Sequence, residues 1–542
     1  MKISRTARIS APLVATALAL TACSGGSKSG SSAPPKTVKL TTSVTAPSGE
    51  AASITWNLGN GEPSTLDPAQ SSLENVSTVV SNLCEQLMVF DKDYKLKPGL
   101  AAKVTQPDAK TFVFQLRDGA TFWNGAPVTA DDVVYSIKRT FAKATASSWA
   151  AAYADVAAVE KTGASQVTVK FKNQNAMYHW YEATPATAVV QKSYTEKAGK
   201  AFGTGTGGLM CSGPYKLDSW TSGQDIVISR NDHYWGAKPL VKKVKFTFDT
   251  DTASRTAALV RGDYDGQWAN SVSSLKRLQG SGAGSLLYGS SMAPVFISEF
   301  TQDPAIKNAD VRQALRLLVD YQGITESVYG GAATTLKSLT GPSTWGYSTS
   351  IFKAAYDRLP ARKQDLAEAK KLVQKAGDVA PLTLAYDNSS TEESKIALSL
   401  QSAAAQVGLT IKLRSLASND YLKIFYEEKA REGLSAYVVN GYLDFPEPLE
   451  YDEYATQGSY YNYTGYDNPK YNALIKKAAQ TLDDDQRAAL ITQAEALASA
   501  DAYTLPIVSP YINVFVNKRL TGLVPTQNYL YTPWAASLGA VK

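Results

Sequence analysis

The chain has 542 residues, 44% of them apolar and 19% charged, and its 55 basic and 49 acidic side chains leave a net charge of +6. That is enough apolar content for a buried core and too weak a positive field for a nucleic-acid binder. Three cysteines and only two histidines, His179 and His233, exclude zinc clusters and give no basis for a metal site or a cofactor.

In chain order, Lys2, Arg5 and Arg8 precede an apolar run over 9–20. The run is well short of the ~20 residues of a bilayer-spanning helix, so 1–22 read as a signal peptide. Thr21 and Ala22 ahead of Cys23 resemble a bacterial lipobox, in which that cysteine is lipidated and becomes the first residue of the mature chain. Residues 23–49 open on a Ser/Gly/Pro-rich stretch and read as a flexible tether. Two fatty chains give stable anchoring. The expected location is therefore the outer face of the cytoplasmic membrane, with a lipid-anchored extracellular body. No later run approaches the ~18 apolar residues of a span.

Alternation over 53–58, 111–116 and 166–171 predicts strands with one buried face. Helical periodicity covers 129–141, 310–319, 365–376, 394–407 and 484–500. Thr129 is an N-cap candidate, with Asp131 and Asp132 at the positive end of the helix dipole. Interleaved strands and helices make the class α/β. Cys84 falls in a helix-like stretch, 76–88, and Cys211 precedes the turn Ser212-Gly213-Pro214. Export permits a disulfide between them; the alternative is two buried free thiols.

Enzyme motifs fail one by one. Gly203-Thr204-Gly205-Thr206-Gly207-Gly208 has dinucleotide-loop spacing, but a helical stretch rather than a strand precedes it. Ser273-Ser274-Leu275-Lys276 and Lys161-Thr162-Gly163 match the paired motifs of penicillin-binding serine enzymes, in the reverse of the required order. A surface serine enzyme of that type is the rival from another class. His179, within Met177-Tyr178-His179-Trp180-Tyr181, reads as a packed histidine, and Asp483-Asp484-Asp485 as helix-opening charge.

Longer strings carry a resemblance. Thr111-Phe112-Val113-Phe114-Gln115-Leu116-Arg117-Asp118-Gly119, followed by Phe122-Trp123-Asn124-Gly125-Ala126-Pro127-Val128-Thr129-Ala130-Asp131-Asp132, resembles the signature of family 5 extracellular solute-binding proteins, the peptide- and nickel-binding receptors of ABC importers. Matching strings at 62–68, 212–215, 230–235, 259–265, 311–315 and 465–469 follow in the family's order. The resemblance implies a periplasmic-binding-protein-like α/β fold of two lobes with a ligand cleft between them. It implies three domains: a discontinuous first over 50–97, 210–298 and 508–542, a second over 98–209, and a third over 299–507. It also implies a monomeric receptor, not an enzyme, that captures short peptides and hands them to ABC permease subunits.

The same resemblance points to site residues. In peptide-binding members an aspartate that follows an aromatic pairs with the ligand's α-amino group; here the string is Gly441-Tyr442-Leu443-Asp444. The family usually has two residues between aromatic and aspartate, and this chain has only Leu443, so a turn aspartate ahead of Pro446 is the alternative. Some members carry an arginine for the ligand carboxylate on the preceding strand, and 435–440 contain none. Glu62 and Ser64 match the segment that runs beside bound peptide, or are a plain strand edge. Tyr442, Tyr460 and Tyr461 are candidates for the cleft wall, and because aromatic faces also stack on sugars, an oligosaccharide or another small solute is the rival ligand.

Overall fold

The computed structural model describes residues 38–459 and 461–541. The leader, Cys23 and Tyr460 lie outside the described residues.

Three sheets organise the chain. Ile54–Asn57 is the middle strand of a seven-stranded mixed sheet, parallel to Lys243–Thr247 on one side and to Gly266–Trp268 on the other. The sheet extends through Ile512–Asn517 to Gly284–Gly289 at one edge and through Asp225–Arg230 to Tyr215–Thr221 at the other. Gly266 is obligatory here, because a Cβ would collide with the Trp56 ring in the next strand. A four-stranded antiparallel sheet runs Ala101–Asp108, Thr111–Leu116, Gln166–Phe171, Val156–Gly163. Buried Trp56, Phe114, Val167, Tyr178, Phe246 and Trp534 belong to one continuous core that joins these two sheets into one body. The alternation over 111–116 puts Phe112, Phe114 and Leu116 inward, and the strand has the bounds expected.

A second body has its own core under a six-stranded sheet ordered Ala333–Thr335, Thr504–Pro510, Val295–Glu299, Ala436–Asn440, Leu382–Asp387, Ile411–Leu416. Ala436–Asn440 and Leu382–Asp387 pair in parallel, and the helix Thr391–Gln406 packs beside them through Ile396, Ala397 and Leu400. The chain passes between the bodies at 290–294 and again at Tyr511, and the Ser509 hydroxyl ties the two crossings by donating to the Ser291 carbonyl at 3.1 Å. The boundaries expected at 298/299 and 507/508 therefore fall inside strands of the six-stranded sheet. Val295–Glu299 is paired on both sides and buried at every residue.

Local signals explain the element ends. Thr129 and Asp132 form a reciprocal capping box on the helix Ala130–Thr140. Asp483 caps Asp484–Asp501 by accepting from the Gln486 amide, and Asn468 caps Pro469–Ala479, where Pro469 supplies the favoured first-turn residue. The helix expected over 76–88 ends at Val80, and Cys84 lies in the turn after it. Cys84 and Cys211 are joined, with Cα atoms 5.0 Å apart. The tether expected to reach residue 49 does not: Thr41 donates to the Tyr288 carbonyl, Gly49 and Ala540 exchange backbone hydrogen bonds, and Val38 and Leu40 pack against Leu275, Tyr288 and Ala332. The apolar residues of 38–40 find a seat on the body, which offsets the entropy of ordering them.

Candidate functional site

Where the strand Ala436–Asn440 ends, Gly441-Tyr442-Leu443-Asp444 leads into Phe445 and the short helix Leu449–Tyr454. A Cβ at Gly441 would collide with the Tyr451 hydroxyl, so a side chain there would have to displace that ring. Leu443 is fully buried and is clamped to the crossing at 290–294: its amide donates to the Met292 carbonyl at 2.9 Å, and Gln527 bridges the Leu443 carbonyl and the Met292 amide. Asp444 is held from both bodies. Its amide donates to the Glu450 carboxylate at 3.1 Å, and the Tyr531 hydroxyl donates to its Oδ1.

Asp444 and Glu450 form a carboxyl pair without a cation. Burial pushes Asp444 up to about 6. It pushes Glu450 well above the carboxylate range, and the Asp444 charge adds to this, so Glu450 carries the pair's proton at neutral pH. Both line a 440 Å³ cavity with Glu453, whose pKa burial raises to about 7. Trp149 and Tyr181 come to this cavity from the first body, Tyr454 and Tyr461 from the second. A neighbouring 460 Å³ cavity is lined by Glu74 and Asn270 of the first body and Glu393 and Tyr442 of the second. Glu74 accepts from the Tyr529 hydroxyl at 2.7 Å and from Asn60 at 2.8 Å, and burial raises its pKa. Burial also raises Glu393, to about 7.

A third cavity, of 310 Å³, lies against Tyr442, Tyr454 and Tyr461 within the second body. Among the described residues lining these three cavities there is no Lys, Arg or His. The arrangement is a cleft between two bodies with negative potential, aromatic walls and several carboxyls held near their protonation point. It suits a cationic guest, and no nucleophile with an activating base is part of it.

The structure gathers Gly441, Tyr442, Asp444 and Tyr461 along this cleft. The Tyr442 hydroxyl crosses it to donate to the Ser72 carbonyl at 2.7 Å. The shortened spacing leaves Asp444 on the cavity wall, since Leu443 turns inward. Glu62 and Ser64 are elsewhere: the Glu62 carboxylate is consumed by Trp220 at 2.7 Å and the Gly223 amide at 2.9 Å, and Ser64 is exposed, with neither lining these cavities. Glu62 serves to hold the hairpin turn that follows Thr221. His179 is a packed residue, its Nδ1 against the Ala176 carbonyl at 2.9 Å and its pKa lowered to about 4 by burial. The Ser273 hydroxyl lies 3.0 Å from that of Ser271 at a helix start, and Lys161, on the strand Val156–Gly163, pairs with Asp131, so the two serine-enzyme motifs perform unrelated structural tasks.

Glu74, Glu450, Glu453 and Tyr531 escaped the sequence reading. Glu450 and Glu453 had a usable signal, because three-residue spacing on a helix places both on one face just after Asp444. Glu74 and Tyr531 had none, since they reach the cleft from distant parts of the chain.

Comparison with known proteins fixes the family. The model of the bacterial extracellular solute-binding proteins, family 5 Middle, matches residues 95–463. The chain belongs to this family. Its members are solute-binding proteins of ABC transporters, and the chain is accordingly a binding protein and not an enzyme. It is 26% identical over 480 residues to the probable D,D-dipeptide-binding periplasmic protein DdpA of Escherichia coli, spanning 85% of this chain and 90% of that one. It is 27% identical over 506 residues to the periplasmic oligopeptide-binding protein OppA of Escherichia coli, spanning 89% and 91%. The fold is shared with the ABC transporter substrate-binding protein CtaP of Listeria monocytogenes, with TM-score 0.80, 23% identity and coverage of 91% and 100%. It is shared as well with DppA of Helicobacter pylori in complex with the peptide STSA, with TM-score 0.77, 19% identity and coverage of 91% and 99%.

Proposed function

We propose that this family 5 protein captures short peptides bearing a free, charged amino end and delivers them to a membrane permease. The observation that carries the reading is Asp444, a cleft carboxylate raised to about 6 that has no cationic partner in its cavity. An ammonium placed there supplies the missing charge, and a charge-assisted hydrogen bond in a desolvated site contributes about 1.5–3 kcal/mol. The printed functions of DdpA and OppA, dipeptide and oligopeptide binding, support the same ligand class.

In this reading the two bodies are lobes that close about the paired crossings at 290–294 and Tyr511. No basic residue is among the described cavity linings, so this reading has the ligand held chiefly by its amino end and not by an ion pair to its carboxylate. Lipidation of Cys23 would hold the monomeric receptor at the outer face of the membrane beside its permease, and Cys23→Ala should release it from the membrane fraction. The deciding experiment is native mass spectrometry of the soluble form that starts after Cys23, followed by denaturation and identification of what co-purifies. Short peptides support the reading; a sugar or another uncharged solute in their place overturns it.

A further inference from the structure

The 310 Å³ cavity is chemically unlike its neighbours. Ten of its nineteen described lining residues are Phe or Tyr, none is charged, and it lies within the second body under the strands Val295–Glu299 and Ala436–Asn440. Its rings brace one another edge-on: Phe296 against Tyr451 at 6.1 Å between centroids, and Phe425 against Tyr437 at 5.8 Å. Such mutual packing preorganises a wall before any guest arrives. Three of the eight exposed large hydrophobic side chains among the described residues, Tyr426 at 71%, Tyr442 at 40% and Tyr461 at 45%, border this one cavity.

The cavity also adjoins the charged part of the cleft. Tyr454 and Tyr461 line both it and the Asp444 cavity, while Tyr442 lines both it and the cavity of Glu74. A group held at Asp444 therefore has an apolar, ring-lined space on the other side of a shared tyrosine wall. The volume is at the small end of the ~300–1,000 Å³ of ligand pockets, which suits one side chain better than a whole ligand.

We propose that this cavity is a pocket for a single aromatic side chain of the captured ligand, an inference that rests on the peptide reading above. A carboxylate or ammonium entering it would be desolvated with no counter-charge, whereas a ring would make edge and face contacts with the walls. The receptor then selects peptides by composition and not only by their amino end.

The test uses tetra-alanine amide with a free amino group and the four variants in which one alanine is replaced by phenylalanine, measured by calorimetry on the intact soluble chain. One position is expected to bind about 10- to 100-fold tighter than the all-alanine peptide, the range expected for burying a phenyl group. Val439→Trp, which fills the cavity from the strand Ala436–Asn440, should bring that peptide down to the affinity of the alanine peptide. Tyr426→Ala, at an exposed position, should remove a smaller part of the preference, about threefold, and serves if the filled variant does not fold. Equal affinity for all five peptides overturns the pocket and leaves peptide capture standing. If none of the five binds, the peptide reading falls and the pocket falls with it.

Discussion

Asp444 and Glu447 stand in one short loop, three residues apart, and face opposite fates. Glu447 is fully buried and saturated by the protein: Arg487 pairs with it at 3.3 Å, the Tyr347 hydroxyl donates at 2.7 Å, the Leu449 amide at 3.2 Å and Trp180 at 3.4 Å. Burial still raises its pKa, but a cation and three donors pull it back. Asp444 has the Tyr531 hydroxyl and a protonated neighbour, Glu450, and no cation. A carboxylate completed from within locks structure; one left incomplete at a cavity wall is, under the peptide reading proposed above, open to a ligand. Trp180 makes the first kind useful to the second, because it reaches from the first body to Glu447 and so fixes the loop that presents Asp444.

The sharpest way to break this contrast is to remove the saturated partner. Glu447→Ala leaves Arg487, 1% exposed, with the exposed Asp484 at 2.7 Å as its remaining carboxylate and with neutral acceptors in the Tyr347 hydroxyl and the Thr481 and Leu482 carbonyls. Removing one member of a buried pair costs about 3–5 kcal/mol, so a fall in urea midpoint is expected whether or not peptide is present. An unchanged midpoint would mean that Glu447 does not hold the loop.

The next effect is on binding. Asp444→Asn keeps the shape and removes the charge, so affinity for a peptide with a free amino end should drop by about 1.5–3 kcal/mol without loss of stability. Acetylating the peptide should do the same to the wild type and nothing further to the variant. With its pKa raised to about 6 in the empty site, Asp444 loses its charge as pH falls through that value, and wild-type affinity should weaken between pH 7.5 and 5. A variant and a wild type with the same pH profile would remove Asp444 from the ligand.

How much of this was legible beforehand follows from range. The strand over 111–116 and the capped helix Ala130–Thr140 obey local rules, alternation and the Thr129–Asp132 box, and have close to the expected bounds. The expected limits at 298/299 and 507/508 fall inside Val295–Glu299 and Thr504–Pro510, strands set by pairing across more than two hundred residues, which no local pattern encodes. The string at 441–444 pointed to Asp444, which lies on a cavity wall. Glu62, in a matching string, does not, because its fate was set by Trp220, 158 residues away. The saturated and unsaturated carboxylates look alike in sequence, since what separates them is whether an arginine from a distant helix arrives.

Glu299 tests the remaining case, a carboxyl that is neither completed by the protein nor open to a ligand. It is 1% exposed, and neither of its oxygens has a hydrogen-bond partner among the described residues. Burial raises it to about 8, against the opposing pull of Arg316 and Arg312. A carboxyl whose folded pKa is above its unfolded value contributes stability at low pH and loses it as pH rises from the ordinary range through the folded value. At pH 6 Glu299 is protonated in the folded protein and ionised in the unfolded chain; by pH 9 it is ionised in both, and its contribution is gone. The wild type should therefore lose stability between pH 6 and 8, about 1–2 kcal/mol of it through this residue, and Glu299→Gln should lose correspondingly less. Because Glu182 is also raised to about 8 by burial, the Gln variant should keep part of the slope. Peptide affinity should show no such difference between wild type and Glu299→Gln. If it does, the line drawn between carboxylates that serve the fold and carboxylates that serve the ligand is in the wrong place.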